Sequence, residues 1–357
     1  MNTPGIVVIL SGFPRRSETF ALAEVSALAA AGRLAAVFAT KPGEDGPMQP
    51  DALRIASRVR VLCGDPASQA DQAAAALEGI AVTGVHAYFA HEPSEVGAAL
   101  ADRLGVPFGF SVHARDARKV PRRELHARAR RAACVVACNA DVAREFDGSH
   151  APLHIAPHGV DLERFKPNQR RDSSELRLLA VGRLVQKKGF DVLLDAVSRL
   201  DIPWRLRLIG EGPDSEHLIA RSTVRGVAHR VCFCGPKTHD ELPQEYQRAD
   251  VVVVPSVQDD SGDRDGLPNV VLEAMASGCV VVASDVGAIG SAVQHRRTGL
   301  LVRPHEVHGL VNALETVAHD VEGRRWLGHA ARRFVEREFD VVRCTARLVS
   351  ILDAAYA

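Results

Sequence analysis

Two carboxylates, Asp265 and Glu273, stand with seven residues between them in a stretch that leaves an apolar run (Val251–Val254), crosses a polar loop and enters a helical pattern. Pro268 suits a first helical position, where its missing N–H costs nothing, and Gly278 suits the left-handed residue just past a helix end. The N–H groups of Gly266 and Leu267 then fall at a helix start, where a phosphate finds free donors. Asp265 can accept from sugar hydroxyls, and Glu273, about two turns on, can take both hydroxyls of a ribose. The same residues also fit a loop with a capping acid and a half-buried helical glutamate.

A second stretch has the complementary charge. The run Leu176–Val181 reads as a strand, followed by Gly182-Arg183 and Lys188-Gly189 around a turn and then by a helical Phe190–Leu200. Arg183 and Lys188 can meet one diphosphate there, or stand in water as part of a solvated turn. Cleaving a sugar from a nucleoside diphosphate builds negative charge on the leaving oxygen. A fixed donor at that point lowers the barrier by roughly 3–4 kcal/mol.

In the first half, Gly12 follows the first predicted strand, where the absence of a side chain lets backbone approach a phosphate or sugar. Ser17 or Thr19 suits a helix cap. His113 ends the strand Phe108–Val112, and His91 and Glu92 follow the strand His86–Phe89 as weaker acceptor-side candidates. Eight basic residues lie between Arg115 and Arg131, either facing anionic lipid headgroups or forming a solvated helix face.

Taken in order, Gly182-Arg183…Lys188-Gly189, Gly210-Glu211-Gly212-Pro213, Asp265-Gly266-Leu267-Pro268…Glu273 and Gly299-Leu300-Leu301-Val302 resemble glycosyltransferase family 4, retaining enzymes of the GT-B fold. The first-half runs Gly12-Phe13-Pro14-Arg15 and Phe110-Ser111-Val112-His113 resemble its bacterial exopolysaccharide and colanic-acid branch. The resemblance covers essentially the whole chain. It implies transfer of a hexosyl unit from a UDP- or GDP-sugar to a glycan or lipid-linked hydroxyl, without metal. On that pattern Arg183 and Lys188 stabilise the departing diphosphate, aided by Gly12 and the amides of Gly266 and Leu267. Glu273 holds the ribose, Asp265 orients the donor sugar, and His113 supports the reacting face. Asp265 departs from the family, which usually has glutamate there. A GT-B epimerase, a sugar phosphorylase or a non-catalytic nucleotide-sugar binder would use the same phosphate site. A dinucleotide-dependent oxidoreductase is a different class, and its Gly-x-Gly-x-x-Gly turn follows no predicted strand.

These residues need elements to hold them. Short β-branched runs alternate with Ala- and Leu-rich helical stretches, seven strands before residue 157 and six after residue 175. Several are apolar throughout, as when both faces of a parallel strand are covered. The expected fold class is α/β: two Rossmann-like doubly wound domains facing across a cleft, residues 1–165 and 166–339. The seam is the Pro- and charge-rich stretch from Gly159 to Ser174, and the final 340–357 reads as a helix packing back on the first domain.

Lys plus Arg and Asp plus Glu both number 44, so no basic field points to nucleic acid. No apolar run approaches the ~20 residues of a membrane-spanning helix. Seven scattered cysteines fit free thiols better than a disulfide framework, and a metal site at Cys232 and Cys234 lacks a second ligand pair nearby. The expectation is a soluble cytoplasmic protein, with peripheral contact to anionic membrane through Arg115–Arg131.

Overall fold

The structure, a computed structural model, describes residues 4–15, 18–44, 50–167 and 173–357. Ser17 and the seam residues 168–172 lie outside this range. The chain divides into two compact units, Met1–Gly159 with Val341–Ala357, and Val160–Asp340. The division thus falls at Gly159, a few residues ahead of the 165/166 boundary drawn from the sequence.

In the first unit, β1 (Gly5–Leu10), β2 (Leu34–Ala39), β3 (Val59–Val61), β4 (Val82–Tyr88), β5 (Phe108–Val112), β6 (Cys134–Ala137) and β7 (Leu153–Ile155) form one parallel sheet ordered β3-β2-β1-β4-β5-β6-β7. In the second, β8 (Leu176–Val181), β9 (Trp204–Ile209), β10 (Val231–Phe233), β11 (Val251–Val254), β12 (Val280–Ser284) and β13 (Leu300–Val302) form another, ordered β10-β9-β8-β11-β12-β13. Each order reverses direction once, between β1 and β4 and between β8 and β11. Doubly wound sheets open a crevice at the carboxyl ends of the strands at such a switch point.

The apolar runs are buried on both faces. Val251–Val254 feeds alternate side chains to two clusters, Val251 and Val253 to one with Leu178, Leu193 and Leu206, Val252 and Val254 to the other with Met275, Val281 and Tyr246. In the first unit the helix Val341–Ala355 closes one face of the sheet through Leu348, Leu352 and the following Tyr356. Strand β4 begins four residues before the sequence pattern indicated, because Gly84 hides it. A Cβ on Gly84 would lie 2.5 Å from the Tyr356 ring, and one on Gly109 would lie 2.4 Å from the Tyr356 hydroxyl. These glycines make a slot in the sheet that the tyrosine fills. Its hydroxyl lies 2.9 Å from Nδ1 of the fully buried His86.

Candidate functional site

The sequence candidates of the second unit gather at its switch point. The loop after β8 carries Gly182 to Gly189, and the loop after β11 carries Pro255 to Pro268. Gly189 adopts φ +62°, and a Cβ there would lie 2.0 Å from the Pro255 carbonyl oxygen, so only glycine lets the two loops touch. Gly210 and Gly212, after β9, similarly clear the carbonyls of Gly182 and Leu184.

This contact delivers Lys188 to Asp265. Lys188 Nζ donates to Asp265 Oδ2 at 2.8 Å, and the buried Ser256 hydroxyl donates to the same oxygen at 2.6 Å. Lys187 Nζ lies 3.8 Å from Asp265 Oδ1 and 3.0 Å from Asp263 Oδ2. Burial raises the proton affinity of the Asp265 carboxyl, but the two ammonium groups and the Ser256 hydroxyl outweigh it and hold the group below the ordinary carboxylate value. Asp265 is therefore an anion with one oxygen fully engaged.

The helix after this loop runs Asn269–Ala276, with Pro268 at the N-cap, one position earlier than the sequence placed it. Its far end follows the expectation. Gly278 has φ +67°, and the bonds Cys279 N–H to Ala274 O and Gly278 N–H to Met275 O close a Schellman motif. At the near end the N–H groups of Gly266 and Leu267 donate to nothing among the described residues. Their position is set from the loop after β12: Ala288 N–H donates to Gly266 O, and a Cβ on Gly287 would lie 2.2 Å from Asp265 O.

Glu273 sits deeper than a ribose ligand alone would need. It is 5 % exposed; Oε2 accepts from the buried Tyr246 hydroxyl at 2.7 Å, and Oε1 lies 3.5 Å from His239 Nε2. Arg183 is exposed and has no side-chain partner among the described residues. Around a short stretch of backbone stand an unpaired guanidinium, a held ammonium and two free N–H groups.

Gly12 and His113 belong to the first unit, where they follow β1 and β5. The Gly12 N–H has no acceptor among the described residues, and a Cβ would approach the Arg15 Nε at 3.3 Å, itself buried without a partner. Thr19 is the first helical residue and not the cap; Glu18 holds the cap position. The His113 ring is walled by Phe20 at 4.6 Å, Phe89 at 4.9 Å and His158 at 5.0 Å between centroids. Neither ring nitrogen has a hydrogen-bond partner among the described residues, Nδ1 lying 3.9 Å from Asp116 Oδ1, and burial holds the ring well below its ordinary pKa, so it stands neutral. A neutral imidazole with free nitrogens can exchange hydrogen bonds with a hydroxyl.

Sequence reasoning passed over what holds these groups. Asp116 Oδ1 accepts from His113 N–H and Oδ2 from Ala90 N–H, both at 2.7 Å, tying the segment after β4 to the segment after β5. His158 Nδ1 lies 2.8 Å from Glu24 Oε1, whose other oxygen accepts from the Tyr88 hydroxyl at 2.7 Å. The His-x-x-Asp spacing of His113 and Asp116 is a legible capping signal; the His158–Glu24 contact, 134 residues apart, has none. Glu92 is held through Thr40 and Gln69.

Three arginines of the basic segment are neutralised at home. Arg118 pairs with Asp141, Arg128 with Glu95 and Glu124, and Arg131 with Asp102, while Arg122 donates to Asp147 O. Arg123 and Arg130 are exposed with no partner among the described residues. No described helix is long and apolar enough to cross a membrane.

Two Rossmann-like α/β units, each with candidate groups at its switch point, define the class that includes the GT-B glycosyltransferases. The family pattern "Glycosyltransferase Family 4" matches residues 17–164 and "Glycosyl transferases group 1" matches residues 175–320. Each half of the chain thus belongs to a glycosyltransferase family. It is 35 % identical over 212 residues to a D-inositol 3-phosphate glycosyltransferase of Corynebacterium diphtheriae, covering 54 % of this chain and 48 % of that protein. It is 33 % identical over 220 residues to a GDP-mannose-dependent alpha-(1-6)-phosphatidylinositol monomannoside mannosyltransferase of Mycobacterium tuberculosis, covering 57 % of each. The matched region spans about half the length of these relatives. Among solved structures, Anabaena HepE in complex with UDP has a TM-score of 0.83 at 19 % identity, with 99 % of this chain and 100 % of that one covered. Sucrose-phosphate synthase from Thermosynechococcus elongatus has 0.81 at 21 %, with 99 % of each covered. At these identities the likeness is one of fold.

Proposed function

We propose that this chain is a nucleotide-sugar-dependent hexosyltransferase that moves a sugar from a nucleoside diphosphate to a hydroxyl of a glycan or lipid-linked acceptor, with retention of configuration, in surface-glycan synthesis. The observation that carries it is the pair of unpaired N–H groups at Gly266 and Leu267, on the loop whose Asp265 holds Lys188. Free backbone donors at a helix start beside fixed cations make an anion site. Arg183 and Lys188 offset the charge that grows on the diphosphate as the glycosidic bond breaks. The acceptor oxygen forms the new C–O bond at the anomeric carbon as that carbon's bond to the diphosphate oxygen breaks, and the hydroxyl proton passes to the departing diphosphate. Asp265 acts first as the counter-ion that orients Lys188, its less encumbered Oδ1 facing the sugar, and Glu273 takes the ribose. Gly12 and His113 are the first unit's own candidates for contact with a phosphate or sugar. Because side chains and amides supply the positive charge, transfer needs no divalent metal.

UDP- and GDP-sugars are the proposed donors. Support comes from HepE, solved with UDP, and from the mannosyltransferase relative, named for GDP-mannose. The membrane contact keeps a reduced form, carried by Arg123 and Arg130, and reads out as co-sedimentation with anionic vesicles that fades as salt rises.

The experiment is a thermal-shift screen against UDP, GDP, ADP and TDP, with and without magnesium. Stabilisation by one diphosphate, independent of metal, supports the reading and names the base. No stabilisation by any at millimolar concentration overturns it. With a base assigned, transfer to acceptor without free epimer or sugar phosphate separates a transferase from an epimerase or phosphorylase.

A further inference from the structure

At the opposite end of β8 from the proposed donor loops, the second unit has a cavity of about 330 Å³ whose wall carries five arginines. Arg177 comes from the start of β8, Arg205 and Arg207 from β9, Arg230 from the turn before β10, and Arg248 from the end of the helix Leu242–Arg248. Along β9 the arginines alternate with the buried Leu206 and Leu208, so both guanidinium groups leave the same face of the sheet. The half-buried Val231 contributes apolar surface between them, over the buried Leu179. Arg177 lies five residues before Gly182, about 16 Å along an extended strand, so this is a different place from the loop ends described above.

The charges do not balance. Arg177 is paired to Asp250 at 2.8 Å, Arg207 to Glu245 at 2.7 Å, and Arg205 to Glu175 at 2.9 Å. Arg248 reaches only the already occupied Glu245, at 3.7 Å, and Arg230 lies over the Trp204 ring, 5.0 Å from its centroid. Five guanidinium groups thus face three carboxylates, an excess of about two positive charges in a chain whose formal net charge is zero. The ion pairs on Arg177 and Arg207 and the ring beneath Arg230 hold those forks in place. Guanidinium forks match phosphoryl oxygens, and a phosphate monoester carries close to the charge that is lacking.

We infer that this cavity is a second ligand site, taking a phosphate monoester whose apolar body lies against Val231. Its phosphoryl group engages Arg230 and Arg248, with Arg205 at the mouth. Cys232, exposed and in the cavity wall, reports on occupancy.

The test uses phenyl phosphate and inorganic phosphate on the full chain. Phenyl phosphate is expected to raise the melting temperature of the unaltered protein and of Lys188→Ala alike. The double variant Arg205→Ala/Arg248→Ala, altered at two largely exposed side chains, should bind about tenfold more weakly or worse. In the unaltered protein, phenyl phosphate should also slow alkylation of Cys232, followed by peptide mass spectrometry, which keeps the test independent of the variant's folding. Inorganic phosphate acting as strongly as phenyl phosphate overturns the apolar half of the inference. A shift that survives in the arginine variant, is lost in Lys188→Ala, or is absent together with any protection of Cys232 overturns the site itself. None of these outcomes depends on sugar transfer.

Discussion

Lys188 and Asp265, 77 residues apart, meet in a 2.8 Å hydrogen bond because Gly189 lets the loop after β8 rest on the loop after β11. The bond joins one of the cations proposed to meet the diphosphate to an acid proposed to face the sugar, so neither acts alone.

Replacing Lys188 with alanine leaves Asp265, 7 % exposed, without its nearest cation. Unpairing a buried charge costs about 3–5 kcal/mol, and a denaturant titration is expected to show a loss at the low end, since Lys187 and Ser256 remain. Turnover should fall more than the Michaelis constant rises. The double variant Lys188→Met/Asp265→Leu should recover much of the stability and none of the activity. Recovery of activity would exclude the charge on Lys188 as its contribution.

Gly287 bears on the same site from the loop after β12. With φ +57° and the Asp265 carbonyl in its Cβ position, Gly287→Ala carries about 1–2 kcal/mol of left-handed strain before any clash is counted. The variant should melt lower and lose diphosphate-dependent stabilisation, because relieving the contact moves the loop that presents the Gly266 and Leu267 amides. Unchanged ligand stabilisation in a folded Gly287→Ala protein would detach that loop from nucleotide binding.

Glu273 has a structural partner as well as a proposed ligand. Tyr246→Phe removes the 2.7 Å bond to its carboxylate and should cost about 1–2 kcal/mol by chemical denaturation while leaving the protein folded. Glu273→Gln keeps an acceptor for the tyrosine and should instead weaken diphosphate binding by about tenfold, the loss of one charge-assisted contact. If Glu273→Gln binds as tightly as the unaltered protein, the carboxylate serves the core and not the ribose.

Asp116 predicts two opposite responses to pH. Burial pushes its carboxyl up to about 7, against the backbone N–H groups that favour its anion. Unfolded, the group ionises near pH 4, so between about pH 4 and 7 the folded chain holds the extra proton. This group's contribution to stability therefore declines as pH rises through that window and levels off above it. Activity should move the other way, because the anion holds Ala90 and His113 more firmly than the acid does. Asp116→Asn should flatten both trends between pH 6 and 8, with kcat reduced more than KM changes. A pH profile identical in the two proteins would remove Asp116 from the positioning of His113.

Much of this was written locally. A strand in a doubly wound sheet is a short apolar run whatever its neighbours, so all thirteen strands were legible, most to within a residue or two. The Schellman end at Gly278 and the loop-to-helix passage at Gly266–Pro268 depend on backbone preferences of adjacent residues, and they too could be read. The exceptions arose where a local rule served a distant contact: Gly84 weakened the signal of β4 because it makes room for Tyr356, 272 residues on. Pairings across such separations leave no periodic trace. Adjacent residue types set which groups stand at strand ends, and hence the groups of the proposed phosphate site. Only the tertiary structure decided that Lys188 is held by Asp265, that Glu273 lies against Tyr246, and that His113 stands neutral among Phe20, Phe89 and His158. It also brought five arginines from four segments to one cavity, since which side chains meet is set by the packing of whole sheets and helices, not by spacing along the chain.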